Sequence, residues 1–187
     1  VDGEIVESEY DGVAAYLVEK DEYFYRDYLY STPDGDYLDN AERFIFFSKS
    51  ILEAIKITGF VPDVLHCNDW ETALVPFFLK TLYKDDPHLK DIATLLTLHN
   101  LGYQGLFWHH DMHLLNTGWE YFTPDYIEFF GKINFLKAGI VFADILNTVS
   151  KQYSEEIQTP EFGHGLDGIL RTRKADLYGI INGIDYD

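Results

Sequence analysis

The stretch Thr97-Leu98-His99-Asn100-Leu101-Gly102-Tyr103-Gln104-Gly105 sets an imidazole, two amides and a phenol directly after the apolar run 92–98. A neutral imidazole and a carboxamide both donate and accept hydrogen bonds, so this set suits a ligand rich in hydroxyl groups. Strands of a parallel sheet are buried along their length and emerge at their carboxyl ends, where polar residues line the ligand crevice. Three more apolar runs end in the same manner. Run 63–67 leads into Asn68-Asp69-Trp70, run 145–149 into Ser150, and run 177–181 into Asn182-Gly183. The pattern predicts four strand ends on one edge, with His99, Asp69 and Asn182 along it.

The elements that must hold these ends alternate between strand and helix. Residues 13–18 read as a strand, and 21–37 as a tyrosine-rich loop punctuated by the turn signature Pro33-Asp34-Gly35, with no helix expected. Asp39 followed by Glu42 resembles a capping box; Phe44, Phe47, Ile51 and Ile55 then recur at helical spacing until Gly59. Strand 63–67, a helix over 70–83 kinked at Pro76, and the strand ending at Leu98 follow. Beyond a loop-rich insertion at 102–131 come a helix over 134–143, strand 145–149, a helix from Ser150, a glycine-rich loop opening a helix that reaches 173, and a last strand at 177–181. This alternation predicts an α/β fold: a parallel sheet with right-handed crossovers and helices on both faces. One domain over 1–187 is expected, without internal repeats.

With 187 residues, 47% of them hydrophobic, the chain can bury a substantial core. A formal charge of -18 argues against nucleic acid or an anionic membrane surface as partner, since both require clustered Lys and Arg. No run approaches the ~20 apolar residues of a membrane span, and Val1-Asp2-Gly3-Glu4 lacks the basic and apolar regions of a signal peptide, so a cytoplasmic protein is expected. Cys67, the single cysteine, sits inside an apolar strand, where inert packing is expected. Aromatic residues make up 17% of the chain, more than a small core consumes, and some are expected to stack on the C-H faces of sugar rings.

His66-Cys-Asn-Asp-Trp70, Leu98-His-Asn-Leu-Gly-Tyr-Gln-Gly105, Phe135-Leu-Lys-Ala-Gly139, Gly163-His-Gly-Leu-Asp-Gly168 and Asn182-Gly-Ile-Asp185 occur in register over most of the chain. In order and spacing they resemble bacterial glycogen synthases and plant starch synthases. The resemblance implies a retaining glucosyltransferase of the GT-B fold, two Rossmann-like domains with ADP-glucose between them, extending an α-1,4-glucan at its non-reducing end. It implies no metal and no cofactor. It places His99 at the transferred glucose as the catalytic residue, Asp69, Trp70 and Asn100 around the sugar, and Tyr103 and Gln104 at the border of the cleft. Tyr30 matches a donor-site tyrosine, with Tyr28 as its rival in a loosely aligned loop, and Asn182 matches a nucleotide or hinge contact. Gly163-His164-Gly165 would be a mobile loop near the acceptor. Asn68 stands where many relatives have His, and Glu71 receives no role.

By the same resemblance the chain is expected to be an incomplete amino-terminal, acceptor-side domain. It lacks a Lys-Thr-Gly-Gly-Leu type loop, and the nucleotide-sugar domain would follow Asn182-Gly-Ile-Asp-Tyr-Asp187. The isolated chain is therefore expected to be inactive. Simpler readings accompany several of these residues. N-capping accounts fully for Asp69, and a turn for Asn182-Gly183. Two other functions stay open: a non-catalytic α-glucan-binding module, and a hydrolase using a metal held by His109, His110 and His113, although His109-His110-Asp111-Met112-His113 does not match H-E-x-x-H.

Overall fold

A computed structural model describes residues 2–184. The chain opens with an antiparallel hairpin, β1 (Glu4–Tyr10) and β2 (Val13–Glu19), followed by a single helical turn, α1 (Asp21–Phe24), and a small hairpin, β3 (Ser31–Thr32) and β4 (Gly35–Asp36). The stretch 21–37, read as a loop, thus contains three short elements, and the strand β1 lies in an acidic stretch with no apolar run to announce it. Helix α2 (Asn40–Thr58) ends where Gly59 adopts φ +70°. Its start differs from the capping box expected there. Asp39 makes no cap bond; its carboxylate takes the Arg26 guanidinium at 2.9 and 2.5 Å, and Glu42 accepts from the Tyr23 hydroxyl at 2.5 Å. A two-pronged charged pair outcompetes a single bond to a backbone N–H.

Strand β5 (Val64–Asn68) leads into α3 (Asp69–Thr72) and α4 (Leu74–Lys80), then β6 (Ala93–Leu98). The predicted single helix breaks at Ala73 and not at Pro76 itself, because proline has no N–H to offer the carbonyl four residues earlier, at Thr72. The insertion carries β7 (Leu106–Trp108), α5 (Met112–Leu115), β8 (Glu128–Phe129) and β9 (Lys132–Asn134), with β9 central in a three-stranded antiparallel sheet. Next come α6 (Phe135–Phe142), β10 (Ile145–Thr148), α7 (Lys151–Glu156), α8 (Asp167–Thr172) and β11 (Leu177–Gly179). The N-caps of α6 and α7 are side-chain bonds, Asn134 accepting from the Lys137 amide and Ser150 from that of Tyr153.

The main sheet runs β11-β10-β6-β5, all parallel. Because successive strands step in one direction along it, right-handed crossovers put their connecting helices on one face. There Cys67, Leu96, Leu98, Leu146 and Leu177 share a core with Leu52 of α2, Trp70 of α3, Phe77 of α4, Leu136 of α6 and Leu170 of α8. On the opposite face Val64 is 53% and Tyr178 52% exposed. That face is crossed by a polar ladder: His66 Nε2 lies 2.6 Å from Thr97 Oγ1, which donates to Asn147 Oδ1 at 2.5 Å. The helices of the described residues therefore cover one face of the sheet and leave its carboxyl edge open.

Candidate functional site

Asp69, directly after β5, adopts φ +52°, a left-handed conformation that L side chains other than Asn and Asp rarely hold. Its side chain explains why it is held there. Asp69 Oδ1 accepts the His99 backbone N–H at 2.7 Å and so ties the end of β5 to the end of β6. The simple account of Asp69 as a helix N-cap does not hold: Asn68 occupies the cap position of α3, and the Asp69 carboxylate reaches across to the neighbouring strand. Asn68 in turn orients His99, with its Oδ1 3.1 Å from His99 Nε2. An amide oxygen only accepts, so in the tautomer that makes this bond Nε2 carries the proton.

Beside this pair a cavity of about 660 Å³ opens at the carboxyl edge. Tyr30, Asp69, Trp70, Asn100, Tyr103 and Gln104 all line it, so six of the residues singled out in the sequence meet in one place. Trp70, buried, forms its floor, with ring centroids 4.5 Å from Phe44, 5.7 Å from Tyr30 and 5.8 Å from Phe107. Gly105 makes this floor possible. Its φ of +62° and its closeness to the indole, where a Cβ would lie 2.5 Å from Trp70 Cε3, exclude other residues.

The polar groups differ in what they leave free. Asn100 Oδ1 accepts the Gly102 N–H at 2.9 Å, leaving its amide N–H groups to the cavity, and Tyr103 is 69% exposed. Gln104 is committed to the fold: it donates to the Leu101 and His164 carbonyls at 3.0 and 3.2 Å and accepts from Asn134 at 2.7 Å. Through that bond to His164 the loop Gly163-His164-Gly165 is fastened beside the site. His99 is exposed and is not among the residues that line the cavity, although its backbone N–H is held by Asp69, which does line it. Asn182, exposed, follows β11 on the same edge of the sheet but outside the cavity. Three strand spacings of about 4.8 Å separate β11 from β5, or about 14 Å. Asp185, the last residue of the Asn182 motif, lies outside the described residues.

Two neighbours of the site were not read from the sequence. Asn68 orients His99, and its place at a strand end was the available signal. Glu71, half-buried, lines the same cavity wall as Tyr30; burial pushes its carboxyl above the usual range, and the Tyr30 phenol is pushed up to about 12, chiefly by burial and then by the neighbouring Glu71. Nothing in the sequence pairs Tyr30 with Glu71. Cys67 is buried, and burial pushes its thiol up to about 12, so it is inert at neutral pH. In the histidine cluster the His109 and His110 rings lie 4.2 Å apart and His113 Nδ1 faces the His110 carbonyl oxygen at 2.6 Å. Among the described residues no three His, Cys, Asp or Glu side chains converge as metal ligands.

Residues 2–172 match the model of the starch synthase catalytic domain. The glycogen synthase of Koribacter versatilis is 50% identical over 186 residues, which is 100% of this chain and 37% of that relative. The glycogen synthase of Thermodesulfovibrio yellowstonii is 53% identical over 171 residues, covering 91% of this chain and 34% of the relative. Among solved structures, the catalytic domain of starch synthase IV from Arabidopsis thaliana, bound to ADP and acarbose, is similar with a TM-score of 0.87 at 29% identity, over 98% of this chain and 37% of that one. The chain thus spans about a third of the length of the curated relatives it matches. With a family model matched along nearly its whole length and a site assembled from the same motifs, the chain belongs to the starch synthase catalytic domain family.

Proposed function

We propose that this chain is the amino-terminal, acceptor-side part of a two-domain GT-B enzyme that transfers glucose from ADP-glucose, with retention, to the non-reducing end of an α-1,4-glucan. The observation that carries this reading is the cavity at the carboxyl edge, whose walls combine an aromatic floor, Trp70, with Asp69, Asn100, Tyr30 and Tyr103. Aromatic planes stack on the apolar faces of sugars, while carboxylates and amides take their hydroxyls. The Arabidopsis relative, bound to ADP and acarbose, supports a nucleotide sugar and a glucan as the two substrates.

In this mechanism Asp69 and Asn100 hold the glucosyl hydroxyls, and His99, oriented by Asn68, stabilises the oxocarbenium-like charge at the reacting carbon; stabilisation confined to the transition state raises turnover. By the family resemblance, attack occurs on the face from which ADP departs, within a tight ion pair and without a covalent glucosyl-enzyme. Asn182, on the far side of the sheet edge, serves the hinge or the nucleotide and not the sugar. The remaining length of the relatives corresponds to the domain that would supply the diphosphate site. No described helix is long and apolar enough to cross a membrane, and the reading places the enzyme in the cytoplasm, or in a plastid for a plant source, acting without a metal.

The full-length protein, given ADP-glucose and a maltooligosaccharide, is expected to lengthen the glucan by α-1,4 units, followed by proton NMR of the new anomeric signal. The isolated chain is expected to show no turnover and only weak ADP-glucose binding, because half of a cleft does not offset the entropy of association. Turnover by the isolated chain would overturn the two-domain reading, and a full-length protein inert toward both substrates would overturn the activity.

A further inference from the structure

The loop joining α7 to α8 carries Gly163-His164-Gly165, and its two glycines are required by packing. A Cβ at Gly163 would lie 2.8 Å from the Ile157 carbonyl oxygen, and one at Gly165, where φ is +82°, 2.8 Å from Phe129 Cζ. His164, between them, also holds a positive φ, +49°. An L side chain is strained there and glycine is not, so the backbone of the middle position favours glycine as well. The fold makes no use of the imidazole. The residue is exposed, and among the described residues its ring makes no hydrogen bond.

Strain of this kind persists only where the surroundings hold it. Here the His164 carbonyl accepts from Gln104 Nε2 at 3.2 Å. The Gln104 amide cannot turn over, because its Nε2 also donates to the Leu101 carbonyl at 3.0 Å while its Oε1 accepts from Asn134 at 2.7 Å. Asn134 is fixed in turn, its Oδ1 taking the Lys137 amide at 2.8 Å at the start of α6. A relay of two buried carboxamides thus runs from α6 to the backbone of His164. The ring stands over Gly102, a residue of the cavity wall: a Cβ at Gly102 would lie 3.9 Å from His164 Cε1 and 3.0 Å from Asn100 Oδ1. The imidazole and the Asn100 carboxamide therefore converge over one point of the cavity.

We propose that His164 is a further binding residue of this site: held by Gln104 in a strained conformation, it extends the cavity past Gly102 and, with Asn100, takes a hydroxyl group of a glucosyl unit. The inference rests on the function proposed above. An imidazole donates through one ring nitrogen and, when neutral, accepts at the other, which suits it to a hydroxyl that does both. The glucosyl unit belongs to the sugar nucleotide or to the glucan, and the affinity that changes tells which.

The decisive variant is His164→Gly in the full-length enzyme, because it removes the imidazole and relieves the strain together. A binding residue then loses affinity while the fold does not weaken. The melting temperature is expected to be unchanged or higher, and the KM for maltopentaose or for ADP-glucose to rise about 3- to 10-fold with kcat little changed, the loss of one hydrogen bond. A rise for maltopentaose assigns the glucan, and a rise for ADP-glucose the sugar nucleotide. His164→Ala, which keeps the strain without the ring, is expected to match glycine in affinity and to melt below it. His164→Asn, which tolerates a positive φ and keeps a donor and an acceptor, is expected to recover part of the affinity. Unchanged KM values for both substrates in His164→Gly, or a loss of affinity accompanied by a fall in melting temperature, would overturn the proposal. If the full-length protein transfers no glucose, the function proposed above falls, and calorimetric titration of wild type and His164→Gly with each substrate decides the inference by itself. Weaker binding to the variant supports it, and equal or absent binding overturns it.

Discussion

Two cavities of similar size lie on opposite sides of α2. One, about 660 Å³, is the candidate site at the sheet edge; the other, about 590 Å³, lies beneath the β1–β2 hairpin against α2 and α5. Both are walled by aromatic rings and carboxylates, so volume and residue types do not separate them. The exposed Asp2 and Glu4 carboxylates at the edge of the hairpin cavity are open as well, and what separates the two is the polar groups deeper in each. In the hairpin cavity Glu42 already receives the Tyr23 hydroxyl, Glu53 receives that of Tyr83, and Lys49 donates to the Leu114 carbonyl at 3.0 Å and to Asn116 Oδ1 at 2.7 Å. In the site cavity, among the described residues, Asp69 Oδ2, the Asn100 amide N–H groups and the Tyr103 hydroxyl have no protein partner. Polar groups that satisfy one another hold a fold together, whereas groups left open by converging strand ends are available to a ligand.

The sharpest test of this contrast is His99→Ala in the full-length enzyme. If His99 acts on the reacting sugar, kcat falls about 100- to 1000-fold, or ~2.7 to 4 kcal/mol, while the KM for ADP-glucose changes little. Steady-state kinetics on a folded variant measures it. A defect confined to KM, or near-normal turnover, would reduce His99 to a packing or uniform binding role.

Gly105→Ala probes the floor of the same cavity. The added methyl meets Trp70 and the backbone must keep φ +62°, so a loss of about 1 to 3 kcal/mol in unfolding free energy is expected. Urea denaturation checks it, and an unchanged midpoint would mean that the indole yields easily.

The smallest effect belongs to the hairpin cavity. Burial pushes the Lys49 ammonium down to about 8, so between pH 8 and 10.5 the unfolded chain holds a proton that the folded chain has released. Folded stability therefore rises with pH across that window. Lys49→Met abolishes this rise: relative to the variant, the wild type is least stable below pH 8 and gains as pH approaches 10. Denaturation of both proteins at pH 7, 8.5 and 9.5 reads the difference, and a pH-independent gap would show that Lys49 keeps its ordinary affinity for protons. Turnover of the full-length variant at pH 7 is expected to match that of the wild type, since this cavity is not the site.

Particular residues show how far the sequence reached. Apolar periodicity located α2 and the strands β5, β6 and β10, because burial on a sheet or helix face leaves a mark at every position. It missed β1, an acidic strand paired only in a hairpin, whose burial is too slight to leave such a mark. It gave Asp69 an N-cap it does not make and Asp39 a capping box it does not form, since a carboxylate chooses its partner by reach through space. Gln104 was legible as polar at a strand end, but only the fold shows that its amide is occupied by Leu101, His164 and Asn134.

The order of strands and helices, the polar ends of the strands and the family motifs were therefore fixed by local chemistry: side-chain polarity and turn preference act over a few residues and are written directly in the chain. Tertiary structure decided which of those ends meet. The Asp69 to His99 bond joins residues 30 positions apart and the Gln104 to His164 bond residues 60 apart. Such pairings depend on sheet order and crossover direction, not on any neighbour in sequence. That is why Tyr30 and Glu71 share a cavity wall while Asn182, equally a strand-end residue, lies across the sheet from it.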